Sequence, residues 1–519
     1  PGFTLNVSDD HGKTFTTPFI NGGNIHVDLH AMYISNSNNN FIYLGTDGGL
    51  YISHDRGNTW KFCRNLPLSQ FYRVSIDHNK NYNVYGGLQD NGSWYGPSES
   101  AGGIGNCDWE NIGYGDGFNV LRDKKDPDII YWQYQGGNIK RHYIDTREFK
   151  DIKPFTEKGN EDLRFNWNTP LLQGPSGALY VGSQFLHRST NFGDTWETIS
   201  PDLTTNDPDK QNQENTGGLT IDNSTAENHC TIYWIGESPL NQDIIWVGTD
   251  DGNLQVTTDG GKSWKNVTEN IPGVPEATWV SWVEPSGHKE GTAYVTFDGH
   301  RSGDKDPYVF RTTDFGKTWE SIVSEDIPIY CHTIREDPVN PDLLFLGTEF
   351  GLYISIDQGE KWVRFSGNVP KVSVRQMQIH PETNDLVIGT HGRGIMILDD
   401  LAPIRALRSD MLEEELVFLG SRPFEPFSPG IQQRMEGDDG FTGSNPPGAV
   451  YITYYLSKRH LFGDMYIEIF DEEGELIKKM PAGKRKGINR VAWNMRRDPP
   501  KVPSSVQLLG GALVGPTYP

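Results

Sequence analysis

The chain has 519 residues, room for about three ordinary domains or for one large β architecture with an appendage. Its 46 Lys and Arg stand against 69 Asp and Glu, a net charge of −23, which argues against a surface built to bind nucleic-acid phosphates. No apolar run reaches the roughly 20 residues that span a bilayer, and aromatics at 12% with 58 Gly favour strands joined by tight turns, so an all-β fold is expected. Cys63, Cys107, Cys230 and Cys331 lie too far apart in sequence for a zinc pair or a CxxC redox motif. The opening Pro1-Gly2-Phe3 carries no initiator Met, basic segment or apolar segment, so the chain is read as a fragment or a processed form.

One short pattern recurs six times: Ser/Thr, any, Asp, any, Gly, any, Thr/Ser, then Trp/Phe. Its copies occupy residues 8–15, 53–60, 189–196, 257–264, 312–319 and 355–362, with Asp10, Asp55, Asn191, Asp259, Asp314 and Asp357 at the third position. Asn191 replaces Asp in one copy and Lys361 replaces Thr in another. A short Asp in a Gly-bearing turn accepts backbone N–H bonds while the aromatic residue tucks between sheets, so these six are read as structural. A second repeat, a β-rich run ending in Gly-Thr or similar, as in Tyr43-Leu44-Gly45-Thr46 and Phe345-Leu346-Gly347-Thr348, occurs eight times between residues 41 and 390. Units of about 43 to 50 residues, each of three or four short strands, are the signature of radially repeated sheets. The expected fold is therefore a seven- or eight-bladed β-propeller.

Residues 1–25 read as the end of an upstream blade, 26–405 as the propeller and 406–447 as a linker rich in Gly and Pro. From 448 to 519, alternating strands such as Tyr451-Ile452-Thr453-Tyr454-Tyr455 and the turn Asp471-Glu472-Glu473-Gly474 predict a small, incomplete immunoglobulin-like β-sandwich.

The boxes are Asp-box (BNR) repeats, and the chain resembles the bacterial sortilin-like BNR proteins labelled glycosyl hydrolase or exo-sialidase-like. The resemblance covers nearly the whole chain and also rests on the blocks 26–31, 86–94, 164–170 and 389–394, which read HVDLHA, GGLQDNGSW, RFNWNTP and GTHGRG. It implies two propellers followed by an immunoglobulin-like module, so a first propeller is expected to pack against this one, and it implies an extracytoplasmic, secreted or cell-surface location. A shared scaffold does not transmit a reaction, and the Arg-Ile-Pro motif of sialidases is absent.

In a propeller whose boxes occupy one face, the turns that follow each Gly-Thr strand line the other. Glycoside hydrolysis needs two carboxyls about 5 to 10 Å apart, one protonated and one ionised, and Asp28, Asp90, Asp116 and Glu349 are the candidates. For ligand binding the candidates are Arg164, Trp167, Asp298, His300, Arg301, His391 and Arg393, because turn chemistry does not require His and Arg together and tryptophans outside the boxes can stack on sugar rings. No cofactor is called for apart from a divalent ion at His26, Asp28 and His30, which period-two alternation would place on one strand face. Two functions compete: a glycan-directed propeller, hydrolytic or not, whose partner is a polysaccharide, and a non-catalytic sortilin-like propeller that binds a peptide or protein. A catalytic site predicts facing carboxyls with shifted pKa, and a binding site predicts an aromatic pocket without them.

Overall fold

The computed structural model describes residues 2–17, 25–156, 161–212, 224–424, 437–446 and 448–498. The expected tail from Pro499 to Pro519 and the linker residues 425–436 and 447 lie outside the described residues. The chain forms two compact units, one built chiefly from the residues up to Glu382 and from Leu386–Leu398, the other from Thr383–Asp385 and most of the chain beyond Asp399.

The first unit is a succession of antiparallel meanders; in the one that opens with Phe71–Ile76, the strand Ile104–Gly105 leaves the sheet to pair with Thr442–Gly443. The first sheet comprises Leu29–Ile34, Ile42–Thr46, Gly49–Ser53 and Lys61–Phe62. Seven more follow, opening with Phe71–Ile76, Val120–Arg122, Leu171–Gln173, Ile232–Glu237, Trp279–Pro285, Cys331–Glu336 and Ser373–Ile379. Six of the seven have four strands; the last stops at the third, Ile395–Leu398.

Shared apolar clusters join successive sheets. Tyr85 packs with Val120 and Trp132, Tyr131 with Leu171, Tyr180 with Ile232, Trp246 with Val280, and Trp282 with Ile334. Arg335 Nε then donates to the Met377 carbonyl at 3.0 Å. The series closes on itself: Val74 N donates to Gln376 Oε1 at 3.1 Å, and Val84 packs on Val387. The cyclic order is that of a β-propeller, with the opening strand of each sheet innermost. The 29–62 sheet takes no place in this ring, since its core of Leu29, Leu44 and Tyr51 is completed by Leu5, Ile25 and Trp60.

Sandwiching each sheet between two others explains the sequence pattern. The second strands are buried on both faces, as in Leu344–Thr348, and read as continuous apolar runs, whereas the two-residue outer strands such as Glu320–Ser321 are exposed and polar. The glycine of the Gly-Thr repeat is where neighbouring sheets approach: a Cβ on Gly182 would lie 2.6 Å from Ile232, and one on Gly389 would lie 2.6 Å from Val74.

All six boxes take one arrangement. In the second, the Ser53 hydroxyl donates to Asp55 Oδ1 at 2.9 Å and accepts from Gly57 N at 2.7 Å, and Asp55 accepts from Thr59 N at 2.8 Å and from its hydroxyl at 2.6 Å. Asp10, Asp259 and Asp314 repeat these bonds; Asp357 keeps the backbone bond to Lys361 and, lacking a hydroxyl there, loses the other. Asn191 preserves the turn with one bond reversed, its amide donating to the Thr195 hydroxyl at 2.9 Å. The Gly of each box is left-handed, +90° at Gly57 and +94° at Gly359, and so is the residue before it, a pairing that turns successive N–H groups inward. These bonds hold the carboxyls of Asp10 and Asp259 down to about 2. The box tryptophans divide: Trp196, Trp264 and Trp362 donate to carbonyls of the preceding sheet's outer edge, Ile152, Ile199 and Ile322, while Trp60 and Trp319 bond their own turns.

In the second unit, Leu416–Leu419, Val450–Leu456 and Gly487–Trp493 form one sheet and Tyr466–Phe470 pairs with Leu476–Pro481, around Tyr454, Leu456 and Ile467. Residues 406–447, expected to be linker throughout, thus supply an edge strand, because Leu416-Val417-Phe418-Leu419 offers an apolar segment that pairs with Val450–Leu456. No helix among the described residues is long and apolar enough to cross a membrane.

Trp362 is 1% exposed and bridges two sheets through its indole bond and its packing. Trp362→Ala is expected to lower stability by about 3 to 5 kcal/mol, measured as a fall in the urea midpoint monitored by far-UV circular dichroism.

Candidate ligand-binding site

Each innermost strand begins at the face opposite the boxes, and in five ring sheets it begins with a register shift. The residue skipped by the partner strand is Tyr72, Tyr233, Ser281, His332 or Arg375. All five line a single cavity of about 250 Å³. The residues to either side keep their alternation and pack on neighbouring sheets, so the bulge frees one side chain per strand to face the cavity. The sheets that open with Val120–Arg122 and Leu171–Gln173 have no such shift, and in the same region the chain supplies loop residues Asp116 and Asn166–Asn168.

Four residues expected to bind ligand line this cavity: Trp167, Asp298, His300 and Arg301. The Arg301 guanidinium lies 4.0 Å from the centre of the Trp279 ring. Arg164 does not share the site: its donors are taken by Glu161 at 2.8 Å, Asp202 at 2.8 Å and the Cys230 carbonyl at 3.4 Å, so it clamps loops together. His391 sits beside Tyr72, ring centroids 5.7 Å apart, outside the lining, and burial with the nearby Arg375 pushes its imidazole down to about 4. Arg393 is exposed and also outside the lining.

Arg73 is the residue that sequence reasoning missed and the cavity depends on. It is 4% exposed, lines the cavity, and lies over the Trp234 ring at 4.7 Å and the Tyr233 ring at 5.5 Å. Its Nε and one Nη have no hydrogen-bond partner. Burial pushes its guanidinium down from the ordinary arginine value. A signal for the bulge residues does exist: Tyr72, Tyr233, Ser281, His332 and Arg375 occupy one position of the repeat, each directly after an apolar residue or Cys331.

His332 ties the cavity's carboxylates together. Its Nδ1 is 3.2 Å from Asp298 Oδ2 and its Nε2 is 3.0 Å from Glu349 Oε2. His300 Nδ1 meets the other Asp298 oxygen at 2.5 Å, and Arg375 approaches Glu349 at 3.7 Å. Burial alone would raise both carboxyls, but the bonds from His300 and His332 hold Asp298 well below the carboxylate range. His332 and Arg375 hold Glu349 down to about 2.

Asp90 and Asp116 belong to a separate acidic cluster with Asp47 of the 29–62 sheet. Asp116 Oδ1 accepts from Asp90 N at 3.0 Å and Oδ2 from Gln135 at 2.8 Å, while the Asp90 side chain shares a hydrogen bond with Asp47. Burial, then the charges of Asp116 and Asp47, push the Asp90 carboxyl up to about 6; burial also raises Asp116. Tyr72 hydrogen-bonds both Asp116 and the Trp167 indole and so joins this cluster to the cavity wall.

The expected metal corner does not form. Asp28 is left-handed at φ +63° and the strand is bulged at His30, so period-two alternation is broken and the three side chains do not share a face. His26 Nε2 meets the Asp90 carbonyl at 3.2 Å and His30 pairs with Asp47. No group of three or more His, Cys, Asp or Glu among the described residues could hold a metal ion. The Asp28 carbonyl accepts from Asp47 N at 3.2 Å.

No family model matches the chain. It is 32% identical over 94 residues to the oligoxyloglucan-reducing end-specific xyloglucanase of Emericella nidulans, which covers 17% of this chain and 10% of that protein. It is 32% identical over 145 residues to sortilin of Rattus norvegicus, covering 25% of this chain and 17% of sortilin. The matched stretches are thus less than a fifth of either relative's length. Among solved structures, the Niastella koreensis GH74 enzyme is similar at 14% identity and a TM-score of 0.32, covering 76% of this chain and 64% of that one. YCF48 from Cyanidioschyzon merolae is similar at 11% identity and 0.38, covering 71% and 94%.

A carboxyl whose folded pKa is raised contributes stability that is full below the unfolded value of about 3.9 and is lost as pH rises through the folded value. For Asp90 that window is pH 4 to about 6. Asp90→Asn, tolerated by the left-handed backbone at φ +57°, removes the penalty. Its melting temperature is expected to exceed that of the parent by a margin that grows from pH 4 to pH 7, read by differential scanning fluorimetry of both proteins.

Proposed function

We propose that the chain is an extracytoplasmic β-propeller protein that binds, without hydrolysing, a ligand presenting a carboxylate to Arg73 and a planar or apolar face to Trp167 and Trp279. The carrying observation is the buried guanidinium of Arg73, a residue that lines the cavity, hydrogen-bonds Tyr233 and keeps two nitrogens without a partner. A buried cation with unmet donors is costly, and a carboxylate taking both is the pairing that a guanidinium fork fits best. The cavity's own carboxylates cannot supply it, being engaged by His300, His332 and Arg375.

The same engagement argues against a glycosidase centred on the cavity, because acid catalysis needs one carboxyl protonated near neutral pH and both Asp298 and Glu349 are held ionised. One observation favours hydrolysis as the second reading: the raised carboxyl of Asp90 beside Asp47 and Asp116. A direct hydrogen bond between Asp90 and Asp47 is, however, closer than the spacing of a glycosidase pair.

In this reading the ring has seven blades, and the 29–62 sheet is a blade of a neighbouring propeller. Its first strand is exposed at five of six positions, where the equivalent ring strands are covered by the next sheet. The strands of the second unit are read as an immunoglobulin-like sandwich.

Isothermal titration of the whole chain with free-acid peptides, the same peptides amidated, oligogalacturonate and neutral xyloglucan oligosaccharides tests the reading. Binding is expected only for ligands with a free carboxylate, and Arg73→Met should weaken it by about tenfold to a hundredfold. Reducing ends released from xyloglucan, and lost in Asp90→Asn or Asp116→Asn, would overturn it in favour of hydrolysis.

A further inference from the structure

The second unit is electrically polarised, and its basic end carries bare apolar side chains. The pairing of Val450–Leu456 with Gly487–Trp493 ends at Leu456 opposite Gly487, so residues 457–463 and 484–486 leave the sheet at the same end. The hairpin of Tyr466–Phe470 and Leu476–Pro481 joins them there, with Tyr466 opposite Pro481 and His460 N donating to the Lys484 carbonyl at 3.0 Å. Lys458, Arg459, Lys484, Arg485 and Lys486 thus converge on one end, where Asp464 takes one bond from Lys484 at 3.3 Å. The hairpin's other end is the turn Asp471-Glu472-Glu473-Gly474-Glu475, uniformly acidic. Between the ends, Lys479 is neutralised by Glu468 at 2.7 Å and Lys478 is paired with Asp498.

At the tip of the basic end stand Leu461, 72% exposed, and Phe462, 85% exposed. Neither has a role in the unit's core, which closes on Tyr454, Leu456 and Ile467. A cationic rim around a protruding Leu-Phe pair matches an interface whose surface is anionic and whose interior is hydrocarbon. A polyanion such as an acidic polysaccharide would satisfy the cations and leave Phe462 in water. The net charge of −23 makes the match selective in orientation: screening limits attraction to about 8 Å at physiological salt, so an anionic surface engages this end and repels the rest.

We propose that residues 457–463 and 484–486 dock the protein peripherally on an anionic lipid bilayer, with Leu461 and Phe462 entering the acyl boundary and the five cations facing the headgroups. This does not depend on the ligand read into the propeller cavity.

The test is co-sedimentation of the whole chain with vesicles of pure phosphatidylcholine and of phosphatidylcholine with 30% phosphatidylglycerol, an anionic fraction of about a third. Binding is expected to the anionic vesicles alone and to fall at least tenfold in 0.5 M salt. Lys458→Ala with Arg459→Ala, and separately Leu461→Ser with Phe462→Ser, should each weaken it about tenfold or more; these positions are exposed, and an unchanged melting temperature checks that each variant is folded. Phe462→Trp should show a blue-shifted indole emission on adding anionic vesicles. Equal binding to both vesicles, no binding, or binding untouched by the Leu461 and Phe462 substitutions would overturn the proposal. So would equally tight binding to soluble polygalacturonate without a blue shift, which would assign the end to polyanions.

Discussion

The register shift at the start of the innermost strands is the constraint on which the site depends. A strand pressed between two sheets has both side-chain faces occupied, one by each neighbour, and presents only its backbone edge to the axis. Val74, Ile235, Val283, Ile334 and Met377 are buried in the ring on these terms. One extra residue per strand escapes that accounting, and its side chain is free to meet the others around the axis. Tyr72, Tyr233, Ser281, His332 and Arg375 vary in kind, while the residues that precede them, Phe71, Ile232, Val280, Cys331 and Val374, are buried.

The electrostatics of the cavity follow from what each bulge delivers. His332 arrives between two carboxylates of adjacent sheets, Asp298 and Glu349, and the three form an ion-pair network with His300 and Arg375. Arg73 arrives one residue past its bulge, among aromatic rings and without a carboxylate. The faces of Trp234 and Tyr233 offset part of the cost of burying it, since a ring face attracts a cation without supplying an acceptor for its remaining N–H groups. Two nitrogens of the Arg73 guanidinium are thereby left without a directional bond.

Much of the fold was legible because its signals are local. A box of eight residues contains every donor and acceptor of its own turn, so six copies could be read from sequence alone, down to Asn191 standing in for aspartate. The Gly of each Gly-Thr run was equally visible, although its reason, the approach of the next sheet, was not. Part of the cavity lining was legible: Trp167, His300 and Arg301 lie in turns, and Asp298 at a strand's end, that look unusual in isolation, whereas Arg73 and the bulge residues sit inside strands, where one side chain's direction depends on pairing with a neighbouring strand. His26, Asp28 and His30 failed for the same reason, since alternation was assumed across a bulge and a left-handed residue. Arg164 failed differently: a conspicuous sequence block reflected a structural burden, each guanidinium nitrogen being bonded to a loop carbonyl or carboxylate.

The two ends of each sheet carry different duties, and the buried tyrosines show how the second is met. Near the end opposite the cavity, Tyr85 and Tyr131 donate to Asp77 and Asp123 of their own sheets at 2.9 Å, whereas Tyr180 and Tyr294 donate to Glu237 and Glu336 of the next sheet at 2.9 and 3.1 Å. Ser176 and Ser286 bind the same two glutamates, so each acid is fully met by neutral donors and needs no cation. Neutral donors around a buried carboxylate fix its position without the directional ambiguity of a long charged chain, and they leave no donor unfilled to bind a ligand. Arg73 stands in contrast: at one end of these sheets Glu237 and Glu336 are met by neutral donors, whereas at the other the Arg73 guanidinium keeps two nitrogens without a partner.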